Sequence, residues 1–476
     1  MMSRLFRVST LGLALLCGGL AGCSALVPAY QRPAVDLPAH WSGSSAGQGL
    51  ASAVDRQWWR HYQDAQLTQL ITEALQHNDD LALASARWQQ AQAQLQNANA
   101  NRLPLVTAGG SASRGALDLS KSVPLVSQSP TPFAVGGAML SYEVDLWGKL
   151  ANTAHAAEAQ VQAAHDYRDA AALSLSGSVA NLYFSRQALT AQIAIQQQAI
   201  AAADQRARVV NLLFTEQAAD KLTQQQAVAA QQSARAQLPG LLSLRDQIDS
   251  ALAVLLGRSP QAMFAAPAVQ DSPLSALPVP PVTPGDLPST LLTRRADISS
   301  AEQALQASHY QIGVARAAYF PTLSLSGLLG VADVDIQNLY HGGVRAWSLG
   351  GSLVGPVLDF GRTASGVAYA EGQQQEQVVK YQQAVRTAFR EVKDALAQQQ
   401  HSADEEQARE QAWAATRENL RLARLQLAAG YSSVLEVITA EQQEQSAHAA
   451  WLAVRLQRLQ ASVAMYKALG GGWQAD

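Results

Sequence analysis

Charge and cysteine are both scarce in this chain. Only 15% of its 476 residues are Asp, Glu, Lys or Arg, and the formal net charge is −3. No clustered basic face is present, which excludes the electrostatic footprint of a nucleic-acid binder. The two cysteines, Cys17 and Cys23, lie near the start, so no disulfide framework can staple the body. Catalytic signatures are missing as well. The nine histidines are scattered without the H-E-x-x-H pattern of a zinc protease. His155 and His165 stand ten residues apart, which does not bring them together as i, i+4 ligands would be, and they read as polar surface residues. Gly43-Ser44-Ser45-Ala46-Gly47 spells G-x-S-x-G, but inside a Ser/Gly linker rather than between a strand and a helix. The expectation is a protein that is not an enzyme and holds neither metal nor cofactor. Proline is absent from residues 149–238 and again from 362–429, and these Ala- and Gln-rich stretches read as long helices with small core residues.

A membrane-spanning helix needs ~20 apolar residues, and the N-terminal run from Leu11 to Leu16 falls well short. Arg4 and Arg7 precede that run, and small residues follow it to Gly22, the layout of a secretory signal. Leu20-Ala21-Gly22-Cys23 is similar to the bacterial lipobox, in which the cysteine is acylated and becomes the first mature residue. Residues 1–22 are therefore expected to be a lipoprotein signal peptide and Cys23 the lipid attachment site, the only covalent group expected. The signal carries two arginines and no acid, so its loss moves the formal charge from −3 to −5. Residues 23–62, with Pro28, Pro33 and Pro38, read as an extended, lipidated segment leading to the body.

The body is written twice. A helix is expected from about Asp64 to Asn101, then strands at about 103–115 and 133–145, then a long helical tract. The plan returns with a helix from about Asp297, strands at about 321–331 and 346–358, and a second long tract. Trp147-Gly148-Lys149 corresponds to Phe360-Gly361-Arg362, and Leu256-Gly257 to Leu469-Gly470, both at an offset of 213 residues. Leu103-Pro104 and Phe320-Pro321 match at 217. These offsets place a first repeat at 63–260, a linker at 261–290, a second repeat at 291–470 and a tail at 471–476. Leu452, Leu456, Leu459, Val463 and Tyr466 follow coiled-coil spacing, as do Tyr381, Val385, Ala388, Val392 and Ala395.

Each repeat supplies two strands, and four strands cannot close a membrane barrel, whose minimum is about eight. Open strand edges cannot face lipid, because their backbone groups would stay unpaired. Three copies would close twelve strands under three-fold symmetry. The aromatics Phe133, Tyr142, Trp147, Tyr319, Phe320, Trp347 and Phe360 lie near strand ends, where they fit interfacial belts and equally fit ordinary packing.

Arg294-Arg295-Ala296-Asp297-Ile298, Ala301-Glu302, Gln311-Ile312-Gly313-Val314-Ala315 and Tyr319-Phe320-Pro321 resemble the outer-membrane efflux lipoproteins of the NodT/OprM type, within the TolC-like outer membrane factors. Leu238-Pro239-Gly240-Leu241, Ala251 to Gly257 and Tyr30-Gln31-Arg32-Pro33 carry the same resemblance. Ala296 departs from it, since the family usually has proline there. The resemblance implies an α+β membrane protein: a homotrimer with a twelve-stranded transmembrane β-barrel, four strands per chain, continued by a long periplasmic α-helical coiled-coil barrel. It implies an outer membrane location in a Gram-negative bacterium. It also implies an exit duct for drugs or other small toxic compounds, driven by an inner-membrane RND or related pump through a periplasmic membrane-fusion adaptor. A type I protein-secretion duct shares this architecture, and a non-pore periplasmic scaffold lipoprotein is the alternative of another class.

The same resemblance assigns adaptor contacts to two helix-turn-helix tips. The second holds Gly430, Tyr431, Ser432 and Ser433, and the first holds Gln217, Ala218, Ala219 and Asp220. Gln217 stands where Gly430 stands in the second tip, which suggests that the first tip turns differently, with Asp220 still able to cap the next helix. Glu436 and Thr439 occupy the places of two acidic residues that ring the closed mouth, so one ring is retained and the other is neutral.

Overall fold

The structure is a computed structural model that describes residues 27, 29–39, 55–115, 131–265, 269, 272–280, 288–333 and 343–473. The expected signal peptide and Cys23 lie outside these residues. The described chain is mostly helical. Helices α1 (Ala65–His77) and α2 (Asp79–Ala100) precede strands β1 (Leu105–Gly115) and β2 (Thr131–Val144), and then come α3 (Lys149–Thr215) and α4 (Lys221–Leu255). The short helices α5 (Pro260–Ala265) and α6 (Leu291–Arg294) lead into α7 (Ala296–Ala317), strands β3 (Thr322–Asp333) and β4 (Val344–Val354), then α8 (Arg362–Ala428) and α9 (Val434–Ala468).

The duplication holds element by element. Helices α3 and α8 have 67 residues each, and α4 and α9 have 35 each. At 1.5 Å per residue the longer pair run about 100 Å. Helices α2 and α7 have 22 residues each. The coiled-coil spacing marks buried positions: Tyr381, Val385, Ala388, Val392 and Ala395 are all buried, as are Leu452, Leu459, Val463 and Tyr466, while Leu456 is half-buried.

Several expected bounds move. The single helix expected over 64–101 is two, because Asn78 is extended (φ −66°, ψ 131°). Its side chain accepts from Leu81 N at 3.1 Å, starting the second helix, and donates to the Leu255 carbonyl at 3.0 Å. Strand β1 begins after Pro104, which cannot donate a ladder bond. Strand β4 stops at Val354 rather than 358, because Gly355 and Pro356 follow and Gly355 lies against Pro321. Strands β2 and β3 each run two residues further toward their connecting loops than expected. Pro239 sits inside α4, where it removes one backbone donor.

The chain divides into two compact units. The first (1–34, 87–164 and 301–381) contains one antiparallel sheet in the order β1-β2-β3-β4. Its register sorts the side chains by face. Tyr142 lies opposite Leu325, which lies opposite Gly351, and Ala138, Leu329 and Trp347 form another apolar row. On the other face Ser141, Ser326 and Gly350 align, as do Glu143, Ser324 and Ser352. These rows put large apolar residues on one face and mostly small or polar residues on the other, where Met139 opposite Leu328 is an exception, an alternation that resembles a barrel wall. Trp347 is 79% exposed on the apolar face. Of the aromatics near strand ends, Trp147 and Phe320 pack together, stacked with ring centroids 4.5 Å apart. The described N-terminal residues are clipped to α7 by Arg32, whose Nε donates to Glu302 Oε1 at 2.7 Å, and by Tyr30 edge-on to His309.

The second unit (35–86, 165–300 and 382–476) holds an aromatic core. Trp58 stacks on Tyr466 at 5.2 Å, and Tyr62 meets Phe184 at 5.0 Å. Asp64 caps α1 through Leu67 N and accepts from the Tyr183 hydroxyl at 2.7 Å. The repeats end alike here. Gly257 (φ 64°) lies on the His77 carbonyl, and Gly470 (φ 87°) lies on the Arg294 carbonyl. Arg295 Nη1 donates to the Ala468 carbonyl at 3.1 Å, as Asn78 does to that of Leu255. An L-residue in the left-handed region costs ~1–2 kcal/mol, and at Gly470 its Cβ would also strike that carbonyl. Gly470→Ala is expected to lower the thermal unfolding midpoint followed by circular dichroism in detergent. An unchanged midpoint would contradict the close approach.

Candidate functional site

The turns joining α3 to α4 and α8 to α9 are built on one hydrogen-bond scheme. In the second, Gly430 N donates to the Leu427 carbonyl at 3.0 Å and Tyr431 N to that of Gln426 at 2.8 Å. In the first, Gln217 N donates to Phe214 at 3.1 Å and Ala218 N to Leu213 at 2.8 Å. Both are Schellman ends, which require a left-handed residue. Gly430 has φ 80° and Gln217 has φ 59°. The first tip therefore does not turn differently, and glutamine adopts the left-handed conformation that glycine takes in the second.

The helices that follow are capped in two ways. Asp220 Oδ1 accepts from Thr223 N at 2.7 Å, and the Thr223 hydroxyl and amide hold the Asp220 carboxyl below its usual value. Ser433 Oγ accepts from Glu436 N at 3.2 Å, and Ser433 N donates to Glu436 Oε2 at 3.3 Å, a complete capping box. The Ser432 hydroxyl donates to the same Glu436 oxygen. The Glu436 carboxyl is held below its usual range, first by Ser432 and then by the Ser433 amide. It is exposed and ionised at neutral pH. Thr439, one turn on, returns its hydroxyl to the Leu435 carbonyl at 2.9 Å.

The two tips share a groove of about 740 Å³. Arg206, Val209, Leu213, Gln217 and Asp220 line it from the first hairpin, and Ser433, Leu435 and Ile438 from the second. Tyr431, at 88% exposure, and Leu212, Leu222 and Leu435 present apolar surface around it. Sequence reasoning named the turn residues but missed the apolar groove liners one and two helical turns away. It also missed the Ser-x-x-Glu box of Ser433 and Glu436, a spacing visible in the sequence. Among the described residues no group of His, Cys, Asp or Glu could hold a metal ion, and no described helix is long and apolar enough to cross a membrane.

Residues 70–258 and 287–471 match the outer membrane efflux protein family. The chain is 31% identical to outer membrane protein OprJ of Pseudomonas aeruginosa over 469 residues, covering 98% of this chain and 96% of that protein. It is 32% identical to the cation efflux system protein CusC of Escherichia coli, covering 96% of this chain and 97% of CusC. Among solved structures, the Campylobacter jejuni CmeC outer membrane channel superposes with a TM-score of 0.84 at 26% identity, covering 94% of this chain and 95% of that one.

Two outcomes are expected at the tips. Gln217→Gly relieves ~1 kcal/mol of left-handed cost, so amide exchange at Ala218 and Ala219 should slow about fivefold. Exchange that speeds up would contradict the strain. The Glu436 carboxyl, with its folded value depressed, stabilises the second cap fully above its unfolded value and loses that stabilisation as pH falls through the folded one. Acidification should therefore release protection at the Glu436 amide, and Glu436→Gln should flatten that dependence.

Proposed function

The chain belongs to the outer membrane efflux protein family, and we propose that three copies of it form the exit duct of a tripartite efflux pump. It is an outer membrane efflux protein, and the observation that carries the finer reading is the sheet. Four strands with one apolar and one small or polar face end in two unpaired edges, β1 and β4. Three such sheets joined edge to edge make a closed twelve-stranded wall that leaves no backbone group facing lipid. The helical hairpins continue this wall as a periplasmic tunnel. A membrane-fusion adaptor docks at the tips, and an inner-membrane pump of the RND or a related type supplies the energy. Cys23, acylated, adds a second hold on the outer membrane.

The cargo is a drug or another small toxic compound. CusC, by its name, belongs to a cation efflux system, so the relatives of this chain are not confined to one cargo. A protein-secretion duct would use the same wall. Sensitivity of a deletion strain to drugs and metal ions, with secretion of exported proteins intact, would support efflux. Loss of a secreted protein with unchanged sensitivity would support secretion.

Three copies of Glu436, ionised and set around one axis, would repel one another and attract cations. Thr439 leaves the next ring neutral, so the closed mouth is held weakly and favours cations. In planar bilayers, Glu436→Gln is expected to reduce the cation preference severalfold while the capping box survives. Unchanged selectivity would remove Glu436 from the gate.

A further inference from the structure

The chain contains one complete copy of the joint that its free edges lack. Where the two repeats meet, β2 pairs with β3. At the foot of that pair Trp147 stacks on Phe320 and donates from Nε1 to the Pro321 carbonyl at 2.7 Å. On the apolar face of the same pair, Leu140 lies opposite Gly327 and packs beside it.

The repeat carries each part of this joint to an outer edge. Trp147-Gly148 maps onto Phe360-Gly361, and Gly148 and Gly361 share a positive φ (71° and 85°). Phe320-Pro321 maps onto Leu103-Pro104, and the pair Leu140 and Gly327 maps onto Leu353 and Gly110. These positions are bare in the single chain. Phe360 is 91% exposed, Leu103 66% and Val357 100%. Phe360 follows β4 and Leu103 precedes β1, the two opposite edges of an open sheet, so the chain cannot bring them together by itself.

We infer that Phe360 of one copy packs on Leu103 and Pro104 of the next, beside a β4–β1 pair that repeats the β2–β3 register. Met139 opposite Leu328, Leu140 opposite Gly327 and Ser141 opposite Ser326 then become Ser352 opposite Ser111, Leu353 opposite Gly110 and Val354 opposite Gly109. The inference rests on the reading of the chain as a trimeric duct. It keeps the faces sorted: Leu353 and Gly110 belong to the apolar face, Ser352 and Ser111 to the small, polar one. A slip of one residue would reverse one strand against the other. A slip of two would keep the faces but move Phe360 away from Leu103. The joint between copies has Leu103 where the internal one has Phe320 and lacks the indole hydrogen bond, because phenylalanine has no N–H to offer the Pro104 carbonyl.

Cysteine pairs in the full-length protein, oxidised with copper phenanthroline in isolated outer membranes, test the register. Directly opposed residues lie within reach of a disulfide. Ser111→Cys with Ser352→Cys is expected to give covalent trimers on non-reducing gels, severalfold more than Gly109→Cys or Ser113→Cys paired with Ser352→Cys. A slipped pair giving the strongest band, or trimers that never link through 111 and 352, would overturn the register and leave the duct standing. A chain that is monomeric in the membrane would overturn the duct and the joint together. Cysteine-free variants test the clasp. Phe360→Ala should lower the temperature at which trimers dissociate in detergent, and Leu103→Phe with Phe360→Trp, which rebuilds the internal joint, should raise it. Equal dissociation temperatures for all three would overturn the clasp.

Discussion

Backbone pairing in lipid is the constraint on which the rest of this structure depends. Each strand of the sheet carries donors and acceptors that water cannot reach inside a bilayer, and an unpaired group there costs several kcal/mol. Within one chain, β2 and β3 are paired on both sides, but β1 and β4 each leave one edge open. No side-chain substitution can repair such an edge. Only another strand can, so in the proposed duct the oligomer would be a condition of membrane residence rather than a later refinement. The surface of the single chain agrees: Val354, Val357, Leu358 and Phe360 at one edge and Leu105 and Val106 at the other are exposed apolar residues.

Duplication is the simplest way to meet that constraint with a few long elements. It makes every strand junction a variant of one design, and the matched helix lengths follow from it. The repeats keep the contact while changing the chemistry. Asn78 and Arg295 satisfy equivalent helix-end carbonyls with different side chains. Glu406, buried between Arg455 and Arg458, corresponds to Ile193 in the first half. His448, which stacks on Trp413, corresponds to Arg235, which pairs with Asp204 at 3.0 Å, while Trp413 itself corresponds to Ile200. A buried ion pair contributes little more than well-packed apolar residues, which is why such positions can drift while the backbone plan persists.

Most of this plan was legible in the sequence because its signals are long or punctual. Proline-free tracts announced α3 and α8, and glycines at an offset of 213 residues announced the duplication. What escaped was set by single side chains acting on the backbone. The break at Asn78 depends on one amide serving two helices, and no periodicity reveals that. The left-handed Gln217 ran against propensity, since glutamine would be expected to avoid that region. There the repeat was the better guide: a turn closed by hydrogen bonds at both ends imposes its conformation on whichever residue occupies it. The groove between the tips was invisible because Val209, Leu213 and Ile438 read as ordinary helix-core residues until their unfilled side is seen.

The tips carry the tension of this design. Glu436 is the third residue of a capping box, and in the duct proposed above the same carboxylate would face a narrow mouth. The cap is strongest when the group is ionised, and so is its repulsion from its symmetry mates. Ser432 tilts the balance by donating to the carboxylate, which keeps it charged and directs part of that charge back into its own helix. A mouth built in this way could not be discharged by protonation without also weakening the caps of the helices that form it. On that reading, spreading the helices apart would lower the repulsion with the caps intact, whereas protonation would weaken the caps. For the proposed duct, the capping chemistry of the tip therefore favours a mouth moved by a protein partner over one moved by acid.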